Sequence, residues 1–146
     1  MFQNFLTFDD MLYSAAMILR GQAARKRWAH RWTHVMQDEV QDTNVVQDEI
    51  AEALCSAHRN YMVVGDPAQA IFGFRGSRPE HMLKFHDTWP GAVTVVMDRN
   101  YRSGIEVIEV ANRVISHMPE STVIAKSMRC EKQTRAYVAC HSFDDE

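Results

Sequence analysis

Ten residues, Val35-Met36-Gln37-Asp38-Glu39-Val40-Gln41-Asp42-Thr43-Asn44, constrain the fold more than any other stretch of this chain. A short apolar run stops at two adjacent carboxylates. Gln41 and Asp42 follow, then Thr43 and Asn44, both suited to cap a helix N-terminus. The pattern reads as the carboxyl end of a buried strand, an oxygen-rich loop and the start of a helix. In open α/β sheets, ligands bind in the crevice beyond such strand ends. Paired carboxylates there suit Mg²⁺, which takes one or two carboxylates and completes its shell with water and substrate phosphates. The competing reading of Asp38 and Glu39 is a capping cluster at a strand-to-helix turn, and spacing alone does not separate the two.

The flanks extend this unit. Val46, Ile50, Ala53, Leu54 and Ala57 keep helical spacing, which predicts a helix over 45–58. Tyr61-Met62-Val63-Val64 is a nearly continuous apolar run before Gly65-Asp66-Pro67, as expected of a buried parallel strand. Strand, helix and strand at this length make a βαβ unit. Upstream, Phe8, Met11, Leu12, Ala15, Ala16 and Leu19 form one stripe of a helix over 7–20, with Thr7 and Asp10 placed for a capping box and Gly21 as its stop. Residues 22–34 are basic and aromatic, with Arg25, Lys26, Arg27, Trp28, Arg31 and Trp32. Such a patch can stack single-stranded bases. The expectation is instead an exposed helix face with both Trp packed inward.

Beyond the βαβ unit, 67–77 reads as a glycine-punctuated loop or short helix, 79–87 as a helix and Pro90-Gly91 as a hinge. Ala92–Met97, rich in Val, predicts a third strand. Ser103 and Glu106 are spaced as a capping box for a helix over 104–117, ended by Met118-Pro119, and Ala136–Cys140 predicts one more strand.

Three boxes carry a family resemblance. Asp38-Glu39-Val40-Gln41-Asp42-Thr43 resembles the DExQD Walker B box, motif II, of UvrD/Rep-type superfamily 1 DNA helicases. Residues 63–77, VVGDPAQAIFGFRGS, are similar to motif III, and residues 98–103, DRNYRS, to motif IV. Their order and spacing match, and the resemblance runs from about Phe8 onward. It implies an α/β fold of the RecA-like three-layer P-loop NTPase class, here an incomplete parallel sheet flanked by helices. Residues 1–90 would be the C-terminal part of the first RecA-like motor domain, and 91–146 the start of the second.

The resemblance also implies roles. Asp38 holds Mg²⁺, with Glu39 the other carboxylate of the metal site and the base that polarises the water attacking the ATP γ-phosphate. Gln41 joins the nucleotide-binding set. Gln69 senses the γ-phosphate, a task suited to an amide that both donates and accepts. Phe72, Phe74 and Arg75 contact single-stranded DNA by stacking and charge. Tyr101 stacks on adenine, and Arg102 presents an always-charged fork to the transferring phosphoryl group. Read as residues alone, Gln69 is an ordinary loop amide, Phe72 and Phe74 are core candidates, and Tyr101-Arg102 is a surface turn. Gln37 departs from the family, which carries an aliphatic residue there, and a polar side chain is expected to loosen the strand end.

The 146 residues contain no G-x-x-x-x-G-K-[ST], the P-loop that grips phosphates in this family. The expectation is therefore a part of an ATP-dependent DNA helicase, 3′ to 5′ as in its relatives, inactive without a chain that supplies the P-loop and remaining motifs. The alternative is a non-catalytic module binding single-stranded DNA or a partner protein. A net charge of −3 gives no global basic field, so any DNA contact must be local. Three widely spaced cysteines without a C-x-x-C pair fit a reducing cytoplasm, and no apolar run approaches the length of a membrane span. The N-terminus shows no signal pattern, and a soluble, cytoplasmic protein is expected. The seven His residues show no metal-ligand spacing.

Overall fold

Capping and small-residue packing build the first part of the chain. The computed structural model describes residues 5–119, 127–132 and 134–140, with the backbone alone for Arg75, and the chain divides after Phe85 into two compact units. In the first, α1 (Phe8–Arg20) begins at the Thr7–Asp10 capping box, and α2 (Gln22–Ala29) follows directly after Gly21. Strand β1 (Val35–Gln37) leads through a 3₁₀ turn (Val40–Asp42) into α3 (Val45–Cys55), and β2 (Tyr61–Val63) returns parallel to β1. The βαβ unit read from the sequence is present. Helix α1 packs on α2 and α3, and α2 also packs on α3. Ala16, Leu19, Ala29, Ala51, Ala53 and Cys55 are buried. Four of the six are alanines, which let helix backbones approach closely.

Asn44 caps α3 as its sequence position promised, accepting from Val46 N–H at 3.0 Å and Gln47 N–H at 3.1 Å, while the Gln47 side chain accepts from Asn44 N–H. Beyond β2, the chain makes 3₁₀ turns at Pro67–Gln69 and Gly73–Arg75. The helix expected over 79–87 is two single turns, α4 (Glu80–Leu83) and α5 (Phe85–Thr88), broken at Lys84.

Several expectations need correction. The strands are not buried on both faces. Met36 and Met62, paired across the sheet, are 75% and 55% exposed, because among the described residues this two-stranded sheet has helices packed on it without a second covering layer. Gln37 does not loosen its strand, since its Oε1 accepts from the Tyr61 hydroxyl at 2.5 Å and ties β1 to β2. The two Trp residues do not pack inward; Trp28 is 39% and Trp32 48% exposed. No third strand forms over 92–97. A strand needs a neighbour to pair its amides and carbonyls, and among the described residues this segment has none, leaving Val93, Val95 and Met97 exposed.

In the second unit, β3 (Arg99–Asn100) pairs in parallel with β4 (Arg129–Cys130), an element the sequence did not announce. Helix α6 (Ile105–Ser116) buries Ile108. Its N-cap is Gly104 rather than Ser103, and the expected Ser103–Glu106 box is absent. Glu106 instead accepts from Ala136 N–H at 2.6 Å, which draws segment 134–136 against the helix start. A Cβ at residue 104 would meet Thr134 O at 2.6 Å, so only glycine fits there. That contact takes up Ala136, the first residue of the strand expected over 136–140, and those residues are irregular. Among the described residues no helix is long and apolar enough to cross a membrane, and Cys55, Cys130 and Cys140 are free thiols.

Candidate functional site

The site begins where β1 ends. Asp38 is exposed, and its Oδ1 accepts from Glu39 N–H at 2.9 Å. Glu39 takes a left-handed conformation (φ 52°, ψ 41°), uncommon for a residue with a side chain. Three hydrogen bonds hold it there besides the Asp38 contact. Val40 N–H donates to Val64 O at 3.1 Å, Asp42 N–H donates to Glu39 O at 3.0 Å, and the Gln41 amide donates to Glu39 Oε2 at 2.6 Å. The sharp turn leaves two neighbouring carboxylates at the strand end.

Gln41 is the pivot of this loop. It is 1% exposed, and both ends of its amide are engaged. While Nε2 holds Glu39, Oε1 accepts from Asp66 N–H at 3.0 Å. The close approach requires Gly65, because a Cβ there would sit 2.5 Å from Gln41 Oε1. One buried side chain therefore joins the loop after β1 to the loop after β2.

Asp66 carries the link onward. Its Oδ1 accepts from Ala68 N–H at 3.0 Å, capping the 3₁₀ turn that Pro67 opens, and its Oδ2 accepts from the exposed Gln69 amide at 2.8 Å. Asp66 was not singled out from the sequence, although Asp followed by Pro is a helix-start signal. A second tie lies behind the loop. The Thr43 hydroxyl has Val40 O at 2.8 Å and Asp48 Oδ1 at 2.9 Å, one of which receives its proton, and Asp48 Oδ2 bonds His81 Nδ1. Asp42 Oδ1 is buried without a hydrogen-bond partner among the described residues.

The structure thus brings Asp38, Glu39, Gln41 and Gln69 onto two adjoining loops. Phe72 and Phe74 lie just beyond on the same connection, their ring centroids 5.9 Å apart. Phe72 is half-buried and Phe74 is 81% exposed. Arg75 belongs to the same turn, its side chain outside the described residues. Tyr101 and Arg102 belong to the second unit. Both are exposed, on a turn closed by Asn100 Oδ1, which accepts from Arg102 N–H at 3.0 Å and Ser103 N–H at 2.8 Å.

Among the described residues no three His, Cys, Asp or Glu side chains converge to cage a metal ion. Asp38 and Glu39 are both exposed carboxylates at the strand end, and one Glu39 oxygen is engaged by Gln41.

Residues 1–90 match the UvrD/REP helicase N-terminal domain. This chain belongs to the UvrD/REP helicase family. It is 33% identical over 117 residues to the ATP-dependent DNA helicase Rep of Escherichia coli (strain K12), covering 80% of this chain and 17% of that protein. It is 33% identical over 115 residues to the probable DNA helicase II homolog of Rickettsia conorii, covering 78% of this chain and 18% of the relative. A probable DNA helicase II homolog of Mycoplasma capricolum is 31% identical over 115 residues, 78% of this chain and 16% of the relative. The chain therefore spans less than a fifth of the length of these UvrD/REP relatives.

Proposed function

We propose that this chain is part of an ATP-dependent DNA helicase motor, coupling ATP binding and hydrolysis to 3′ to 5′ translocation on single-stranded DNA. In this reading the architecture is RecA-like and three-layered. Residues 1–90 belong to the first motor domain, with Walker B at 38–43 and motif III at 63–77, and residues 91–146 open the second with motif IV at 98–103. The break in compactness after Phe85 and the family match over 1–90 support that division.

The observation that carries the reading is the buried Gln41 amide. It holds the carboxylate at the end of β1 and, through Asp66, the loop that presents Gln69 and leads to Phe74. A change at the nucleotide side thereby has a short covalent and hydrogen-bonded path to the aromatic turn. Asp38 would hold Mg²⁺, which when bound neutralises phosphate charge. Glu39 orients and deprotonates the attacking water, held in its turn by Gln41, and Gln69 reports the γ-phosphate. Phe74, with Arg75, stacks and pairs with the strand. Tyr101 and Arg102 are assigned the adenine and the γ-phosphate. A P-loop from outside these 146 residues supplies the phosphate grip, so the chain alone does not turn over ATP.

The test is ATP hydrolysis by the purified chain with and without single-stranded DNA, beside Glu39→Gln. No turnover above the control is expected alone, with DNA-stimulated turnover appearing when the P-loop segment of a UvrD/REP relative is added. DNA-stimulated turnover by the chain alone, lost in Glu39→Gln, would overturn the dependence on an external grip. Added P-loop segment without any Glu39-dependent turnover, alongside DNA binding lost in Phe74→Ala, would assign the chain as a non-catalytic binding module.

A further inference from the structure

The basic, aromatic stretch between α1 and β1 has no part in the machinery described above. From Gly21 to Gln37 the chain carries Arg25, Lys26, Arg27 and Arg31 without one Asp or Glu, within a protein of net charge −3. Arg25 faces α3, with its Nε 3.4 Å from Ser56 Oγ and its charge near Glu49. Among the described residues Lys26, Arg27 and Arg31 have no carboxylate within ion-pair distance. On the packed helix α3, Glu49 is taken by Arg20 at 2.7 Å and Asp48 by His81, while the exposed Glu52 forms no ion pair with Lys26, Arg27 or Arg31 among the described residues.

Trp28 and Trp32 frame this patch. The Arg31 guanidinium lies 5.7 Å from the Trp28 ring centre and 5.6 Å from that of Trp32. This places one cation against two indoles, a geometry of real attraction. It organises the rings without covering them, since both remain well exposed. Exposed indoles are costly to leave in water and are here surrounded by positive charge. The ligand that satisfies both features has flat apolar faces joined by a negatively charged backbone. An acidic polypeptide would match the charge and leave the rings unused.

We propose that Trp28, Arg31 and Trp32, with Lys26 and Arg27, form a second contact for single-stranded DNA, separate from the Phe72–Phe74 turn. Bases stack on the indoles, and the lysine and arginines meet the phosphates. The choice of DNA over RNA rests on the helicase reading above. The stacking chemistry itself does not.

The experiment titrates the full 146-residue chain with a short oligo-dT, following tryptophan fluorescence and anisotropy of a labelled strand in parallel. A Trp89→Phe background confines the emission to Trp28 and Trp32. Quenching is expected, with Kd weakened about five-fold or more in Trp32→Ala and in Trp28→Ala, the range that loss of one stacked base produces. Lys26→Ala/Arg27→Ala should lower the slope of log Kd against log salt. Circular dichroism checks that each variant keeps its helices.

Binding without quenching, with Kd unchanged in both Trp variants, overturns the proposal. If Phe74→Ala then abolishes binding, the motif III reading stands without it. Loss on Trp substitution with Phe74→Ala silent supports the proposal and removes Phe74 from the helicase reading. Poly-glutamate binding as tightly as oligo-dT, with the same dependence on Trp28 and Trp32, overturns it in favour of an acidic protein partner. Oligo-rU binding about ten-fold tighter than oligo-dT overturns the choice of DNA.

Discussion

Gly65→Ala should destabilise the first unit by an amount that Gln41→Ala largely removes. A methyl group at residue 65 would sit 2.5 Å from Gln41 Oε1, 3.0 Å from Val40 Cγ1 and 3.2 Å from Met82 Sδ, where ordinary contact begins at 3.4 Å. Overpacking of this kind costs about 1–3 kcal/mol. Pushing the amide aside also breaks the 3.0 Å bond from Asp66 N–H, for about 1 kcal/mol more. With Ala at 41 the shortest contact and that bond are both gone before the methyl arrives. The second substitution then meets only Val40 and Met82, at a cost of about 1 kcal/mol. The two changes should therefore couple by about 1–3 kcal/mol, in the range measured for residues that touch.

The assay is urea unfolding of the four chains in a Trp89→Phe background, so that fluorescence reports Trp28 and Trp32 of the first unit. A stabilising osmolyte in every sample keeps the weakest variant folded at zero urea. For a unit this small the urea slope is about 1 kcal/mol per molar, so the coupling appears as a midpoint difference of about 1 M or more. Penalties that add to within about 0.5 kcal/mol would refute the reasoning. The bridge between the two loops would then not exist in solution, and the path from Glu39 to Gln69 would go with it.

Two further outcomes follow from single residues. Asn44→Ala should cost about 1 kcal/mol by removing the cap on Val46 and Gln47 N–H, while Asn44→Asp keeps most of it; equal urea midpoints for wild type and Asn44→Ala would count against the cap. Burial, with smaller contributions from Asp48, Cys55 and Glu52, holds the Tyr61 hydroxyl above its ordinary pKa of 10.0. Its neutral form is favoured in the folded state, so this contribution is complete below about pH 10 and is lost as pH rises toward the raised folded value. Stability measured from pH 9 to 12 should fall more steeply in wild type than in Tyr61→Phe, and parallel curves would remove Tyr61 as the cause.

The local grammar of the first unit was legible in the residues alone. Thr7 with Asp10 is a capping box and Asn44 a helix cap because a short polar side chain reaches two or three residues along the same backbone. The apolar stripe of α1 and the run before Gly65 follow the helix and strand periods for an equally local reason. The carboxylate pair of Asp38 and Glu39 was visible as a place where a strand must stop. Family membership was legible too, because the order of residues belongs to the chain itself.

What failed to show in sequence depended on neighbours distant along the chain. Whether Ala92–Met97 becomes a strand depends on an adjacent strand to bond, and its Val content says nothing of that. Ser103 and Glu106 have capping-box spacing, yet Glu106 bonds Ala136 N–H thirty residues away. Trp28 and Trp32 looked like inward anchors, yet both stay exposed, because whether a ring is covered depends on what the rest of the chain packs against it. Gln41 was assigned to the nucleotide-binding set by resemblance, and its burial between two loops did not show in the residues. By itself the sequence determined the caps of α1 and α3, the βαβ order and the family, since each rests on bonds within a few residues or on a linear pattern. Only the tertiary structure decided that Gln41 is buried between two loops, because its partner at Asp66 and the space left by Gly65 meet it only after β2 has paired with β1.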